Sequence, residues 1–189
     1  MASRTQIVCL HEGERGHSID PLFILKLLKA LDPAWIRPWK GSNMIRPVDC
    51  GGRSTLIARM PEELKTCIEM GGDTTLMVWA DLDHDMNDGD QLRQKFQEVA
   101  SQNGIKDDDF DRVVFVFAKD RLENWIEFLD TGSTDESKEG PRVKNGKRVA
   151  GAAKKLAQMC RGQLQGAQLP PSLNWSCQNW RRFVARMTA

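Results

Sequence analysis

The chain has 189 residues, enough for one domain with a sizeable core and too few for several. With 27 Lys and Arg against 26 Asp and Glu, the net charge of +1 excludes a global attraction to nucleic acid, so any phosphate-binding surface must be a local basic patch. Hydrophobic residues make up 40% and charged residues 28%, and no apolar stretch approaches the roughly 20 residues that span a bilayer, which points to a soluble globular protein and against a membrane one.

Met1-Ala-Ser-Arg leads straight into Ile7-Val8-Cys9-Leu10, a short apolar run that suits a buried strand and not a signal peptide. Asp20-Pro21 offers an N-cap and a first-turn proline. Behind it Ile24, Leu27, Leu28 and Leu31 recur at the spacing of an amphipathic helix. Ala34 to Lys40, with two tryptophans and Pro38, reads as a short strand or a loop. Ile45 to Asp49 predicts a second strand, near an edge because Pro47 lacks a donor. Gly51-Gly52 ends it, and a helix from about Ser54 to Met70 comes next, bent at Pro61 and stopped by Gly71-Gly72.

The third strand is predicted over Thr74 to Ala80. Past an acidic cluster, Asp90 is placed to cap a helix with Leu92, Phe96 and Val99 on its apolar face, ended by Gly104. Val113 to Phe117 is wholly apolar and predicts a central strand. A helix carrying Leu122, Trp125, Ile126 and Leu129 comes after it. Thr131 to Gly146, without apolar periodicity, predicts a flexible surface loop. Two more helices are predicted, one on Val149, Ala152, Ala153 and Leu156, the other on Trp180, Phe183, Val184 and Met187. The expected organisation is therefore a domain over 1–130, a loop over 131–146 and a helical extension over 147–189. Strands alternating with helices argue for an α/β fold with a mainly parallel sheet.

Five cysteines without a C-x-x-C pair imply reduced thiols and a cytoplasmic setting, and three histidines with no paired cysteine argue against zinc. The chain holds no tyrosine, which excludes a covalent tyrosyl-phosphate intermediate. Gly51-Gly52-Arg53-Ser54-Thr55 lacks the lysine and spacing of a Walker loop.

The chemistry lies in two acidic groups, each just beyond a strand. Glu12-Gly13 follows the first; Asp81-Leu82-Asp83-His84-Asp85 follows the third. On parallel strands of one sheet, both would open onto the crevice where such folds bind ligands. In an extended segment alternate residues point one way, so Asp81, Asp83 and Asp85 are expected to converge on an ion. Convergent carboxylates repel, and oxygen-only donors suit Mg²⁺ or Mn²⁺, ions that commonly handle phosphate esters. An EF-hand loop is excluded because Met86 and Leu92 stand where its glycine and last glutamate belong. A D-x-D-x-T phosphatase motif lacks its threonine. A helix-capping turn accounts for Asp88 and Asp90. For Glu123 alone, a surface charge at a helix terminus is the simpler role. Arg142, Lys144, Lys147 and Arg148 open the one clear basic run, suited either to a phosphodiester backbone or to a solvated helix face. His11 and His84 adjoin the acids as tuning groups or bystanders. Most of the six tryptophans read as core, not as base-stacking platforms.

Glu12-Gly13 after strand one, Gly51-Gly52 after strand two and Asp81-x-Asp83 after strand three together resemble a Toprim domain, the metal-binding module of topoisomerases, primases and OLD-family nucleases. Arg121-Leu122-Glu123-Asn124-Trp125 is similar to the R-x-E-x-W segment of small Toprim-like proteins related to OLD nucleases, found in bacterial antiphage systems beside an ATPase partner. The resemblance covers about residues 5 to 130. It implies a Toprim-like sheet, Glu12 as metal ligand or general acid/base, Asp81 and Asp83 as the metal-binding pair, and Glu123 as a further ligand. It departs at Gly16, where many members carry a second acid, and in the long acidic loop after Asp83.

The function expected on these grounds is that of a Mg²⁺- or Mn²⁺-dependent nuclease cutting DNA or RNA. The same resemblance implies an effector of antiphage defence, cytoplasmic, with a protein partner such as an ATPase and room for homo-oligomers. Two alternatives stay open: a non-catalytic adaptor subunit on the same scaffold, and a small-phosphoester enzyme, which a compact acidic pocket would favour. Topoisomerase chemistry and priming fall away for want of a tyrosine and of companion modules.

Overall fold

The computed structural model describes residues 7–14, 16–31, 45–71, 74–86, 88–160 and 168–188. Four parallel strands, β1 (Ile7–His11), β2 (Ile45–Asp49), β3 (Thr75–Leu82) and β4 (Val114–Lys119), form one sheet in the order β2-β1-β3-β4. The expected α/β class with helices on a parallel sheet is what the chain adopts. Ile7 lies opposite Ile45 on one side and Thr75 on the other, so the chain steps outward from β1 in both directions. That reversal opens a crevice beyond the carboxyl ends of β1 and β3, the place where such sheets receive ligands.

β1, β3 and β4 are buried on both faces while the edge strand β2 is only partly buried, and the period-two alternation sorts side chains between two cores. One face carries Ile7, Cys9, Met77, Trp79, Val114 and Val116 against α1 (Asp20–Leu31), α5 (Leu122–Thr131), α6 (Gly146–Cys160) and α7 (Pro171–Thr188). The other carries Val8, Leu10, Leu76, Val78, Phe115 and Phe117 against α2 (Arg53–Met70), α3 (Gly89–Gln102) and the short α4 (Asp107–Phe110). The predicted stripes of α1, α5 and α6 are all buried, and in α7 Phe183 is. Trp35 and Trp39, and the side chains of Trp180, Val184 and Met187, lie outside the described residues.

Four expectations change. β3 runs on through Asp81 and Leu82, two residues further than predicted. The side chain capping α3 is Asp88, which accepts from the N–H groups of Asp90 and Gln91, while Val99 is half-buried and Ala100 fills the core. β4 is not central: it is the sheet's last described strand. Its apolar sequence reflects a covered edge, since α7 packs along it and Ser176 Oγ accepts from Phe117 N–H and donates to Phe117 C=O, both at 2.9 Å. Trp175 stacks on Phe117, ring centres 5.0 Å apart.

The fourth concerns the C-terminal third. α6 and α7 share the core of α1 and α5 and do not stand apart as an extension. After Thr131, the last residue of α5, the predicted loop has no helix or strand before Gly146, yet it is fastened at several points. Glu136 accepts from Ser172 Oγ and Ser172 N–H at the start of α7, Arg121 pairs with Glu139, Asn124 Nδ2 donates to Lys138 C=O at 3.3 Å, and Val143 is buried. Among the described residues no helix is long and apolar enough to cross a membrane.

Candidate functional site

Beyond the ends of β1, β3 and β4 lies a crevice of about 450 Å³ lined by Glu12, Asp20, Asp81, Asp120, Glu123 and, at its basic side, Arg121, Arg142 and Lys144. Sheet parity explains the acidic floor. Asp81 continues the Met77, Trp79 series, so it falls on the face covered by α1 and α5, whose first turns carry Asp20 and Glu123. Glu12 comes directly after β1, and its Oε1 accepts from the Asp81 N–H at 3.3 Å. Two acidic motifs far apart in sequence thus meet, as expected from strand order.

Burial pushes the Asp81 carboxyl well above the usual range, and the charges of Asp20, Glu12 and Glu123 push it further. Glu12, Asp20 and Glu123 are raised too, each chiefly by burial; Arg53 pulls Glu12 back, and Ser18 does so for Asp20. Four acids whose ionised forms are all disfavoured make a pocket in which a bound cation would favour ionisation.

Asp83 and Asp85 stand differently. The chain leaves the extended conformation after Leu82, turning so that Met86 N–H donates to Asp83 C=O at 3.0 Å, which undoes the alternation expected to align all three aspartates. Lys119 pins that turn, donating to the carbonyls of Asp83 at 2.7 Å and His84 at 3.3 Å. Asp83 is 60% exposed and lies outside the crevice lining, and Asp85 is exposed on the turn. His84 faces Asp120 at 3.3 Å, and Asp120 holds a left-handed φ of 62°, a conformation that costs a non-glycine residue free energy.

Two further participants, Asp20 and Arg53, carry no functional signal in the sequence, and His11, there a tuning group or bystander, joins them. Asp20 has the pattern of a cap for α1, but its N–H donates to Ser18 Oγ at 3.1 Å, and its carboxylate faces His11 and the crevice. The fully buried His11 sits 3.1 Å from Asp49 and 3.7 Å from Asp20, and burial holds its imidazole towards the neutral form. Arg53, which stands in a segment that fails as a Walker loop, donates to Glu12 Oε1 at 3.0 Å and also engages Asp83 and the Asp81 carbonyl. An acid beside proline and an arginine after paired glycines are both common in helix starts, so neither marks a site by itself.

Gly13, next to Glu12, is required by packing. A Cβ there would collide with the Ser18 side chain and approach His11 Nδ1 to 3.0 Å, so the glycine makes room for protein and not for a ligand. Of the predicted basic residues, Arg142 and Lys144 line the crevice. Arg148 is instead paired with Asp130, and Lys147 lies exposed on α6 outside the lining.

The donor set fits a hard divalent ion in kind: it is all carboxylate, and every member of the cluster has its charge disfavoured. It is not preassembled, since among the described residues no three His, Cys, Asp or Glu side chains are gathered closely enough to hold an ion. No family model, no curated protein and no solved structure matches the chain.

Proposed function

We propose that the crevice is the site of a Mg²⁺- or Mn²⁺-dependent, Toprim-type nuclease acting on DNA or RNA phosphodiesters, in the setting of antiphage defence with a protein partner. The observation that carries it is Asp81, placed at a sheet's switch point with three other acids around it and basic side chains at the rim. Asp81, Glu12, Asp20 and Glu123 would hold the ion. Bound there, a divalent ion would polarise the phosphate and lower the pKa of the attacking water. Arg142, Lys144 and Arg121 would grip phosphate oxygens and oppose the charge that develops on them. In the alternative arrangement, where Glu12 does not hold the ion, its carboxyl, raised by burial, is suited to take the proton from that water.

One observation favours the adaptor reading: among the described residues the acids are not gathered for an ion, and Arg53 already pairs with one of them, Glu12. The compact crevice leaves small phosphoesters in play. The deciding measurement is Mn²⁺-dependent hydrolysis by wild type and Asp81→Asn, with any partner, of single-stranded DNA, RNA, bis(p-nitrophenyl) phosphate and p-nitrophenyl phosphate. The nuclease reading expects polynucleotide cleavage that falls at least about 100-fold in the variant, roughly the loss of one strong electrostatic contact. Turnover confined to the monoester assigns a phosphatase. No turnover in any case, with Asp81→Asn fully functional in cells, assigns the adaptor.

A further inference from the structure

The guanidinium of Arg53 lies between the two acidic motifs and contacts both. Paired glycines with φ of 65° and 133° turn the chain from β2 into α2, so the helix starts with Arg53 aimed across the ends of β1 and β3. Gly51 N–H, 3.4 Å from Gly13 C=O, ties that turn to the loop bearing Glu12. Nε donates to Glu12 at 3.0 Å, one terminal nitrogen pairs with Asp83, and the other donates to the Asp81 carbonyl. The side chain is only 19% exposed. All three nitrogens are thus spent on the two acidic motifs, and a guanidinium's planar fork makes such contacts directional as well as charged.

Resting on the metal-site reading of the crevice, we propose that Arg53 is a resident counter-ion that competes with the divalent ion for Glu12, so that metal loads fully only when the guanidinium swings away. The guanidinium already takes Glu12 Oε1, the oxygen that also accepts from the Asp81 N–H. Competition accounts for a cluster that is acidic enough to bind an ion yet not gathered around one. Arg53 favours the ionised form of Glu12 while occupying its Oε1.

The test is Mn²⁺ binding to the full chain, by calorimetry and by the electron paramagnetic resonance signal of free Mn²⁺, in wild type, Arg53→Gln and Arg53→Lys, each also carrying Asp81→Asn. Circular dichroism checks that each is folded. Arg53→Gln should bind Mn²⁺ about 10-fold more tightly, corresponding to 1.4 kcal/mol. Arg53→Lys keeps the charge but cannot span both acids, and should gain about threefold, roughly 0.65 kcal/mol on the same scale; it also keeps the question open to measurement should Arg53→Gln fail to fold. Asp81→Asn should abolish binding throughout. Equal or weaker binding in Arg53→Gln, or wild-type affinity in Arg53→Lys, with Asp81 still required, overturns the competition and leaves the metal reading standing. Absence of Asp81-dependent binding in every variant sinks both.

Discussion

At Asp81, burial and three neighbouring carboxylates act in one direction, and the consequence can be measured through pH. The folded-state pKa lies above the unfolded value of 3.8. The folded chain therefore holds this proton more tightly. That contribution is fully present below about pH 4 and is lost as pH rises through the folded pKa. Glu12, Asp20 and Glu123, also raised, add in the same sense. Asp81→Asn mimics the protonated form, so at neutral pH it should raise stability by about 1 kcal/mol or more, some 2–4 °C in Tm, with the gain shrinking towards pH 4. Thermal melts of both proteins from pH 4 to 8 check this. A variant less stable than wild type at pH 7.5 would mean that Asp81 is satisfied as an anion. His11 belongs to the same setting: its imidazole, neutral by burial, spans Asp49 and Asp20 without adding a positive charge to the crevice.

Among the elements, α7 does most to complete the sheet. Ser176 covers the Phe117 backbone, Ser172 Oγ accepts from Trp125 Nε1 at 2.8 Å, and Trp175 lies flat on Phe117 while its Nε1 donates to Asp90 at 3.0 Å. Ser176→Ala should cost about 1–3 kcal/mol, because a buried N–H and C=O lose their partner together. Gly89→Ala should cost a similar ~1–3 kcal/mol by overpacking, since the new Cβ would run into the Trp175 ring and lift α7 from α3. Urea melts of the two variants test both, and an unchanged midpoint for either would show that α7 adjusts freely. The helix–strand contact is not legible in sequence: Ser176 is a small polar residue in an amphipathic helix, and only the packing turns it towards an edge strand.

For the molecule as a whole, charge is nearly balanced, so nucleic-acid affinity depends on few residues. Arg142 and Lys144 sit at the crevice while Arg148 is held by Asp130. The double change Arg142→Ala, Lys144→Ala should weaken single-stranded binding and lower the slope of log affinity against log salt by about 1.4, two contacts at roughly 0.7 each. Lys147→Ala should leave the slope unchanged. Fluorescence anisotropy across a salt series distinguishes these outcomes, and equal slopes for the double variant and wild type would remove the rim from the substrate path.

The sequence by itself determined the order of the described strands and of the longer helices, the apolar stripes of α1, α5 and α6 and the meeting of Glu12 with Asp81, because each follows from local periodicity and from the rule that parallel strands deliver their carboxyl ends to one side. It also marked Pro47 as an edge residue, correctly, since a missing donor is a property of the residue alone. Tertiary structure decided the rest. The edge position of β4 was hidden because a strand covered by a helix reads like one covered by strands. Asp83 and Asp85 left the cluster because a turn pinned by Lys119 broke the alternation. Asp20 and Arg53 entered it because their directions depend on how α1 and α2 dock, and no spacing along the chain encodes that angle.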